Sequence, residues 1–264
     1  MDYKIQYACN SRKSKRRRGR FIMDGVSVLD MSNKKVSVLD SGVFPILKIE
    51  NFLPEDEYEE VKKEVKSKIK ELDTMIKGGW KPKFDEGRTF YRLYLDNMYK
   101  EDRSKSKILL AIEKNLFSKD MMEVFSSMPE TAFRMIPFTT TYETDLTVYT
   151  NDDGYSWHND VGSSRIANYV LMIDLGMKFE GGHTQISNSK YEWLKENNID
   201  VDIDIKPKGN QLIVMPMWVT HRVSLIKTKT ENLENSRITI NGHIGFNERT
   251  IGEFGIIKHG NLHC

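Results

Sequence analysis

Tyr149-Thr-Asn-Asp-Asp-Gly154-Tyr-Ser-Trp-His158-Asn-Asp160 is the stretch on which the fold turns. It places a cluster of turn residues between two β-like runs and ends in a His-x-Asp pair. Side chains two apart on a strand share a face, so His158 and Asp160 are expected to converge on one point.

Outward from this stretch the chain is a succession of short β-rich runs separated by tight turns. Strands are expected over 133–138, 143–150, 156–160, 166–175, 211–215, 218–225 and 237–246, with one helical insert at 190–197. Short strands with tight turns indicate a β-sandwich or barrel, with earlier helices packed on its outside. Upstream, 21–53 alternates apolar and polar residues, and Val-Ser-Val-Leu-Asp occurs at both 26–30 and 36–40, as two arms of one hairpin over 26–39. A helix should start near Pro54, where Glu55, Asp56 and Glu57 complement its positive end. Tyr58, Val61, Val65, Ile69 and Leu72 recur at steps of three and four, so this helix runs to about Met75 with one face buried. Gly78-Gly79-Trp80-Lys81-Pro82 breaks it and opens a loop. Residues 90–96 alternate like a strand, and 104–127 read as a second helix with a break around Ser118-Lys119.

The bulk composition bounds the class. With 264 residues, 39% hydrophobic and 30% charged, the chain can bury a real core. No stretch approaches the roughly 18 uncharged apolar residues that a bilayer span requires. The N-terminus has basic residues but no apolar run behind them, so no secretory signal is read and a cytoplasmic location is the expectation. Cys9 and Cys264 are too few and too far apart for a disulfide framework. Residues 1–20 carry eight Lys/Arg against Asp2, a balance of 8 − 1 = +7, which leaves 2 − 7 = −5 for the rest. Such a run, densest at 11–20, could touch nucleic acid. Without interleaved aromatics it reads more simply as a solvated, mobile tail ahead of a single domain at 21–264.

Two further segments carry chemistry. Sixty-three residues after His158, Gln211-Leu-Ile-Val-Met-Pro-Met-Trp-Val-Thr-His221-Arg-Val-Ser-Leu225 puts His221 on the face of Val219, Val223 and Leu225. A lone histidine there is more often a satisfied core residue. Joined to His158 and Asp160, it completes the two-histidine, one-carboxylate set of non-haem Fe(II) oxygenases, which leaves metal positions open. Sixteen residues later, Arg237, Thr239, Asn241 and His243 alternate with Ile238, Ile240 and Ile244, as a strand does between a wet cavity and packed helices. An arginine there offers a rigid fork for a carboxylate, with a hydroxyl two residues on. A plain surface strand would alternate too.

In order along the chain come Phe52-Leu-Pro-Glu-Asp, Tyr149 ahead of His158-Asn-Asp160, Arg165-Ile-Ala-Asn-Tyr-Val-Leu, Glu180-Gly-Gly182-His-Thr, Lys206-Pro-Lys-Gly209, Met215-Pro-Met-Trp-Val-Thr-His221-Arg-Val and Arg237-Ile-Thr239. From about Asn51 to Phe246 this series resembles the prolyl-4-hydroxylase-like branch of the 2-oxoglutarate/Fe(II) oxygenases. The resemblance implies an α+β fold, a double-stranded β-helix (jelly-roll) core at about 133–246 with N-terminal helices on the major sheet. It implies that His158, Asp160 and His221 bind Fe(II), that Arg237 pairs with the distal carboxylate of 2-oxoglutarate, helped by Thr239, and that Tyr149 reaches the cosubstrate. O2 is the oxidant, with ascorbate as an optional reductant. The implied reaction is hydroxylation of an unactivated C–H, on a prolyl residue of a peptide or protein, with succinate and CO2 as co-products.

The chain departs from the family pattern in three places. Met172 stands where many relatives have a tyrosine, His183 replaces the glutamate of a Gly-Gly-Glu-Thr run, and the 227–235 loop is longer than usual. Other residues stay open between roles. Trp80, Trp218, Tyr155 and His243 are candidates for the substrate groove, with core packing the simpler reading for Trp218. His183 reads as a rim or turn residue, and His259, His263 and Cys264 as a frayed terminus. A free amino acid or another small molecule is the alternative substrate. Oxidative nucleic-acid repair is disfavoured, because relatives of that type have an arginine six residues after the cosubstrate arginine, where this chain has His243. A non-catalytic jelly-roll binding protein would have no use for the Arg237–Thr239 pair. No membrane partner and no oligomeric state are implied.

Overall fold

The computed structural model describes residues 27–31, 34–40, 44–77, 88–162, 164–188, 199–229 and 232–246. The basic tail with Cys9, the 78–82 break with Trp80, the 190–197 insert, and His259, His263 and Cys264 lie outside the described residues.

The N-terminal hairpin forms as its repeat implies. β1 (Ser27–Met31) pairs antiparallel with β2 (Lys34–Asp40), and β2 pairs with β3 (Pro45–Glu50). Helix α1 (Glu55–Lys77) follows and buries Tyr58, Val61, Val65, Ile69 and Leu72, the five positions that the periodicity selects. The expected strand at 90–96 is split. β4 (Arg88–Thr89) and β5 (Tyr91–Tyr94) are extended, after which the chain turns helical in α2 (Leu95–Met98). The second helix divides at the predicted break into α3 (Lys107–Leu116) and α4 (Lys119–Ser127). Each piece has its own cap: the Ser106 hydroxyl accepts from the Leu109 N–H, and the Ser118 hydroxyl accepts from the Met121 N–H. Glu64 of α1 accepts from the Ile108 N–H at 3.0 Å and ties the start of α3 to α1.

The strand expected at 133–138 does not exist. Residues Thr131–Met135 form α5, and Ile136–Phe138 form a 3-10 turn. The Glu130 carboxylate caps the helix at Ala132 N, and Pro137 has no N–H to give a sheet ladder but fits the first turn of a helix. Phe133 and Ile136, three apart, go into the core together. The β-core therefore begins at Thr141.

From there the order is β6 (Thr141–Tyr149), β7 (Gly154–His158), β8 (Arg165–Ile173), β9 (Phe179–Gly181), β10 (Thr184–Ser187), β11 (Ile203–Ile205), β12 (Gln211–Pro216), β13 (Thr220–Val223), β14 (Ile226–Thr228) and β15 (Arg237–Gly245). β9, β10, β11 and β14 were not read from sequence, because three or four residues are too few to display a period. The strands make an eight-stranded sheet in the order β1-β2-β3-β12-β8-β15-β6-β5 and a five-stranded sheet in the order β11-β10-β13-β7-β4, with β14-β9 as a separate pair. This is a jelly-roll core whose major sheet is extended by the N-terminal hairpin. No helix among the described residues is long and apolar enough to cross a membrane.

The helices cover one face of the major sheet. Val65, Ile69, Ile108, Ile112 and Phe125 share one buried cluster with Leu146, Val148, Leu171, Ile173, Leu212, Val214, Ile238 and Ile240. Each such side chain removed from water contributes roughly 1.5–3 kcal/mol before the cost of ordering it. The other face of the sheet carries the alternate positions, and these are polar. Gly242 of β15 marks where the sheet is tightest: a Cβ there would lie 2.0 Å from the Glu143 carbonyl oxygen and 2.4 Å from the Tyr169 ring.

Candidate metal centre

β7 and β13 lie side by side in the minor sheet, with His158 and His221 as register partners. Asp160 is not on the strand as expected. β7 ends at His158, and Asp160 donates its backbone N–H to the Met217 carbonyl at 2.9 Å. The carboxylate reaches the same point by this turn. His158 Nε2 is 3.8 Å from Asp160 Oδ1, and His221 Nε2 is 3.5 Å from Asp160 Oδ2. One ligand atom from each of the three residues lies within 4.8 Å of the others, so the cluster could hold a metal ion.

The outer ring nitrogens fit that use. His158 Nδ1 is 2.8 Å from the Ser156 carbonyl, and His221 Nδ1 is 3.0 Å from the Val219 carbonyl. A carbonyl only accepts, so each Nδ1 carries the proton. In the neutral ring this leaves the Nε2 lone pair aimed at Asp160. Tyr155 stacks on the His158 ring with centroids 3.5 Å apart and holds its plane.

Asp160 is held in turn. Asn168 of β8 donates its Nδ2 to Oδ2. His243 of β15 brings Nε2 to 3.8 Å from Oδ1, while its Nδ1 is 3.3 Å from Glu143, which accepts from Arg165 Nη2 at 2.9 Å. Burial alone would raise the Asp160 carboxyl, but the His243 hydrogen bond and the charge that His221, His158 and His243 carry when protonated outweigh it and hold the group below the usual carboxylate range. His243, left open on sequence, thus stands between Asp160 and a rim pair.

A cavity of about 490 Å³ opens beside the cluster, and its wall includes Tyr149, Tyr155, Thr184 and Arg237 as well as the three residues above. Arg237 is 1% exposed and heads the fully buried side chains by volume. Its Nε donates to the Gly182 carbonyl at 2.8 Å and its Nη2 to Thr184 Oγ1 at 3.2 Å, and its guanidinium carbon lies 4.8 Å from the Tyr149 ring centroid. Gly181 and Gly182 have φ of +75° and +65°, a backbone that glycine adopts freely, and this turn brings the Gly182 carbonyl to the arginine. Among the described residues no carboxylate pairs with Arg237. A buried guanidinium without an anion is costly, so its cavity side fits an anionic ligand. Thr239 is on the same face with its hydroxyl buried and unpartnered. Its cross-strand neighbour is Met172, a thioether where many relatives have a tyrosine hydroxyl.

Not every expected residue arrives. Trp218 is not on the cavity wall; it packs edge-on against Phe44 at 6.1 Å, as its simpler reading held. His183 sits in the turn between β9 and β10 with Nδ1 2.8 Å from Asp204 Oδ2, a rim contact. Asn168, Glu143, Asp145 and Arg92 line the cavity and were not singled out from sequence. A signal existed: Glu143, Asp145, Thr147 and Tyr149 alternate with Thr144, Leu146 and Val148 as the β15 residues do, and Asn168 interrupts an apolar run.

The fold and the cluster together make a jelly-roll core with a candidate metal site of the two-histidine, one-carboxylate type. Residues 144–245, the jelly-roll core, match the model of the 2OG-Fe(II) oxygenase superfamily. A search of curated proteins gives no match. Solved structures that resemble the chain include a Pseudomonas putida prolyl-4-hydroxylase, at 16% identity and TM-score 0.45, covering 79% of this chain and 96% of that one. A viral collagen prolyl hydroxylase from Paramecium Bursaria Chlorella virus-1 matches at 18% identity and TM-score 0.42, covering 76% and 96%. A non-heme alpha-ketoglutarate-dependent epimerase of nogalamycin biosynthesis matches at 8% and 0.41, covering 76% and 77%.

Proposed function

We propose that this protein hydroxylates an unactivated C–H bond with Fe(II) and 2-oxoglutarate. One oxygen atom of O2 enters the substrate as hydroxyl and the other enters succinate, while 2-oxoglutarate loses CO2. The observation that carries the reading is a buried arginine without a carboxylate partner among the described residues, on the same cavity wall as a two-histidine, one-carboxylate cluster. In this reading His158, Asp160 and His221 hold the metal. Arg237 takes the distal carboxylate of 2-oxoglutarate, with Tyr149 packed on its guanidinium and Thr239 behind it. Bound there, the metal supplies oxidation of a C–H bond that no amino-acid side chain could attack. The chain's own part is positional. Asn168 and His243 steady Asp160, the Ser156 and Val219 carbonyls fix the imidazoles, and Tyr155 and Tyr149 shield the pocket from water.

The motif series points first to a prolyl residue in a peptide as substrate. A specific observation supports the second reading, a small polar molecule: the cavity wall carries Arg92 and Asp145 beyond the residues already assigned, and an apolar prolyl ring has no need of them. Anaerobic addition of Fe(II) and 2-oxoglutarate tests the common chemistry. A weak visible charge-transfer band and, on admission of air, succinate are expected. Arg237→Ala should weaken 2-oxoglutarate binding by roughly 1.5–3 kcal/mol, the worth of a hydrogen bond to a charged group. An unaltered affinity would assign the cosubstrate to another arginine.

A further inference from the structure

The cavity holds a second guanidinium that the protein engages only in part: it meets the Tyr94 side chain, while its Nε has no hydrogen-bond partner among the described residues. Arg92 lies on β5 opposite Thr147 of β6, with its carbon 5.1 Å from the Phe90 ring centroid and 5.7 Å from that of Tyr94. Two aromatic rings thus set its plane. Its Nε is 3.5 Å from Asp145 Oδ1, beyond good hydrogen-bond geometry, and has no hydrogen-bond partner among the described residues. Asp145 Oδ1 accepts instead from Thr147 Oγ1 at 2.8 Å and Asn241 Nδ2 at 3.3 Å. Among the described residues all of these contacts meet Oδ1, so Oδ2 is left for another donor. The two side chains balance each other's charge without using up each other's hydrogen-bonding capacity. Both line the cavity, and neither belongs to the set around Arg237.

A guanidinium with donors to spare beside a carboxylate oxygen left for another donor matches one chemical group closely: the carboxylate and ammonium of an α-amino acid. We propose that Arg92 and Asp145 form the substrate head-group subsite, Arg92 taking the α-carboxylate and Asp145 the α-ammonium, so that the molecule hydroxylated is a free amino acid. This rests on the oxygenase reading above. A residue inside a peptide has neither charge and would leave the spare hydrogen-bonding capacity of both groups unused. The subsite sets specificity; the metal cluster sets the chemistry.

The test uses the whole chain with Fe(II) and 2-oxoglutarate under anaerobic conditions. The standard amino acids are added one at a time as free acid, as carboxamide and as N-acetyl derivative, and the shift of the visible band is read. At least one free amino acid should shift the band and stimulate succinate formation in air. Its carboxamide and N-acetyl forms should bind about tenfold to a hundredfold more weakly, the effect of losing one charge-assisted contact. Arg92→Gln alone would strand the buried Asp145, so the decisive variant is Arg92→Gln with Asp145→Asn, which removes both charges together. It should reduce the acid-over-amide preference to within about threefold, and Arg92→Lys, which retains charge without a fork, should fall between. The proposal is overturned if no free amino acid shifts the band, if the amide binds as well as the acid, or if the double variant retains the preference. Absence of the band with Fe(II) and 2-oxoglutarate alone would instead remove the oxygenase reading itself.

Discussion

On β15, Ile238, Ile240 and Ile244 go down among the helices while Arg237, Thr239, Asn241 and His243 rise towards the cavity, and β6 repeats the division with Leu146 and Val148 against Asp145, Thr147 and Tyr149. Both faces of the major sheet are largely buried, yet they are satisfied differently. The helix side closes on itself with apolar side chains that need no further partner. Among the described residues Arg92 Nε, Asn168 Oδ1 and Thr239 Oγ1 on the cavity side are buried with no hydrogen bond, and Arg103 Nη2, over the Tyr142 ring, is the exception on the helix side. Buried polar atoms are nearly always paired in a finished core, so leftover capacity concentrated on one face marks where the protein expects something else to bind.

That contrast can be broken most severely at the metal cluster. Asp160→Ala should lower Fe(II) or Co(II) affinity by more than the roughly 100-fold that bounds the loss of a supporting residue, with little change in the melting transition of the metal-free protein. A large fall in that transition would mean that the cavity side is stabilising after all. The opposite behaviour is expected across the sheet. Ile240→Ala should cost about 2–5 kcal/mol in denaturant unfolding and leave metal affinity near its starting value. Asn168→Ala sits between the two: it should lose about 10- to 100-fold in metal affinity, measured by competition with a chelator, because Asp160 Oδ2 loses its donor.

The smallest expected effect is in acid. The His243 contact, against opposing burial, and the Arg165 charge pull the Glu143 carboxyl down to about 2. A depressed folded pKa contributes stability above the unfolded value and loses it as pH falls through the folded one, so this contribution should fade between about pH 4.5 and 2. Glu143 is 61% exposed on its side chain, which screens the effect. Glu143→Gln should flatten the acid limb of the unfolding curve slightly, and an identical limb would show that the rim pair contributes nothing there.

Where sequence reading failed, the reasons were local and definite. The 133–138 run was apolar enough for a strand, but the Glu130 cap and Pro137 made it helical, and no hydropathy period separates the two over six residues. Asp160 was placed on a strand that ends two residues earlier, yet it met His158 and His221, because the Met217 carbonyl holds the turn that carries it there. Trp218 was a groove candidate on residue type alone, and its neighbour Phe44 is 174 positions away in the chain.

By itself the sequence determined what repeats within a few residues. The spacing of α1, the break between α3 and α4, and the two-residue alternation of β15 are local, and so were the metal candidates and Arg237 once their motifs stood in order. Only the tertiary structure decided which polar residues meet: Asn168 with Asp160, Glu143 with His243, and Arg92 with Asp145. The physical reason is register. Alternation says which face a side chain takes, but its neighbour across the sheet depends on how far one strand slides along another, and that is set by the packing of the whole sheet.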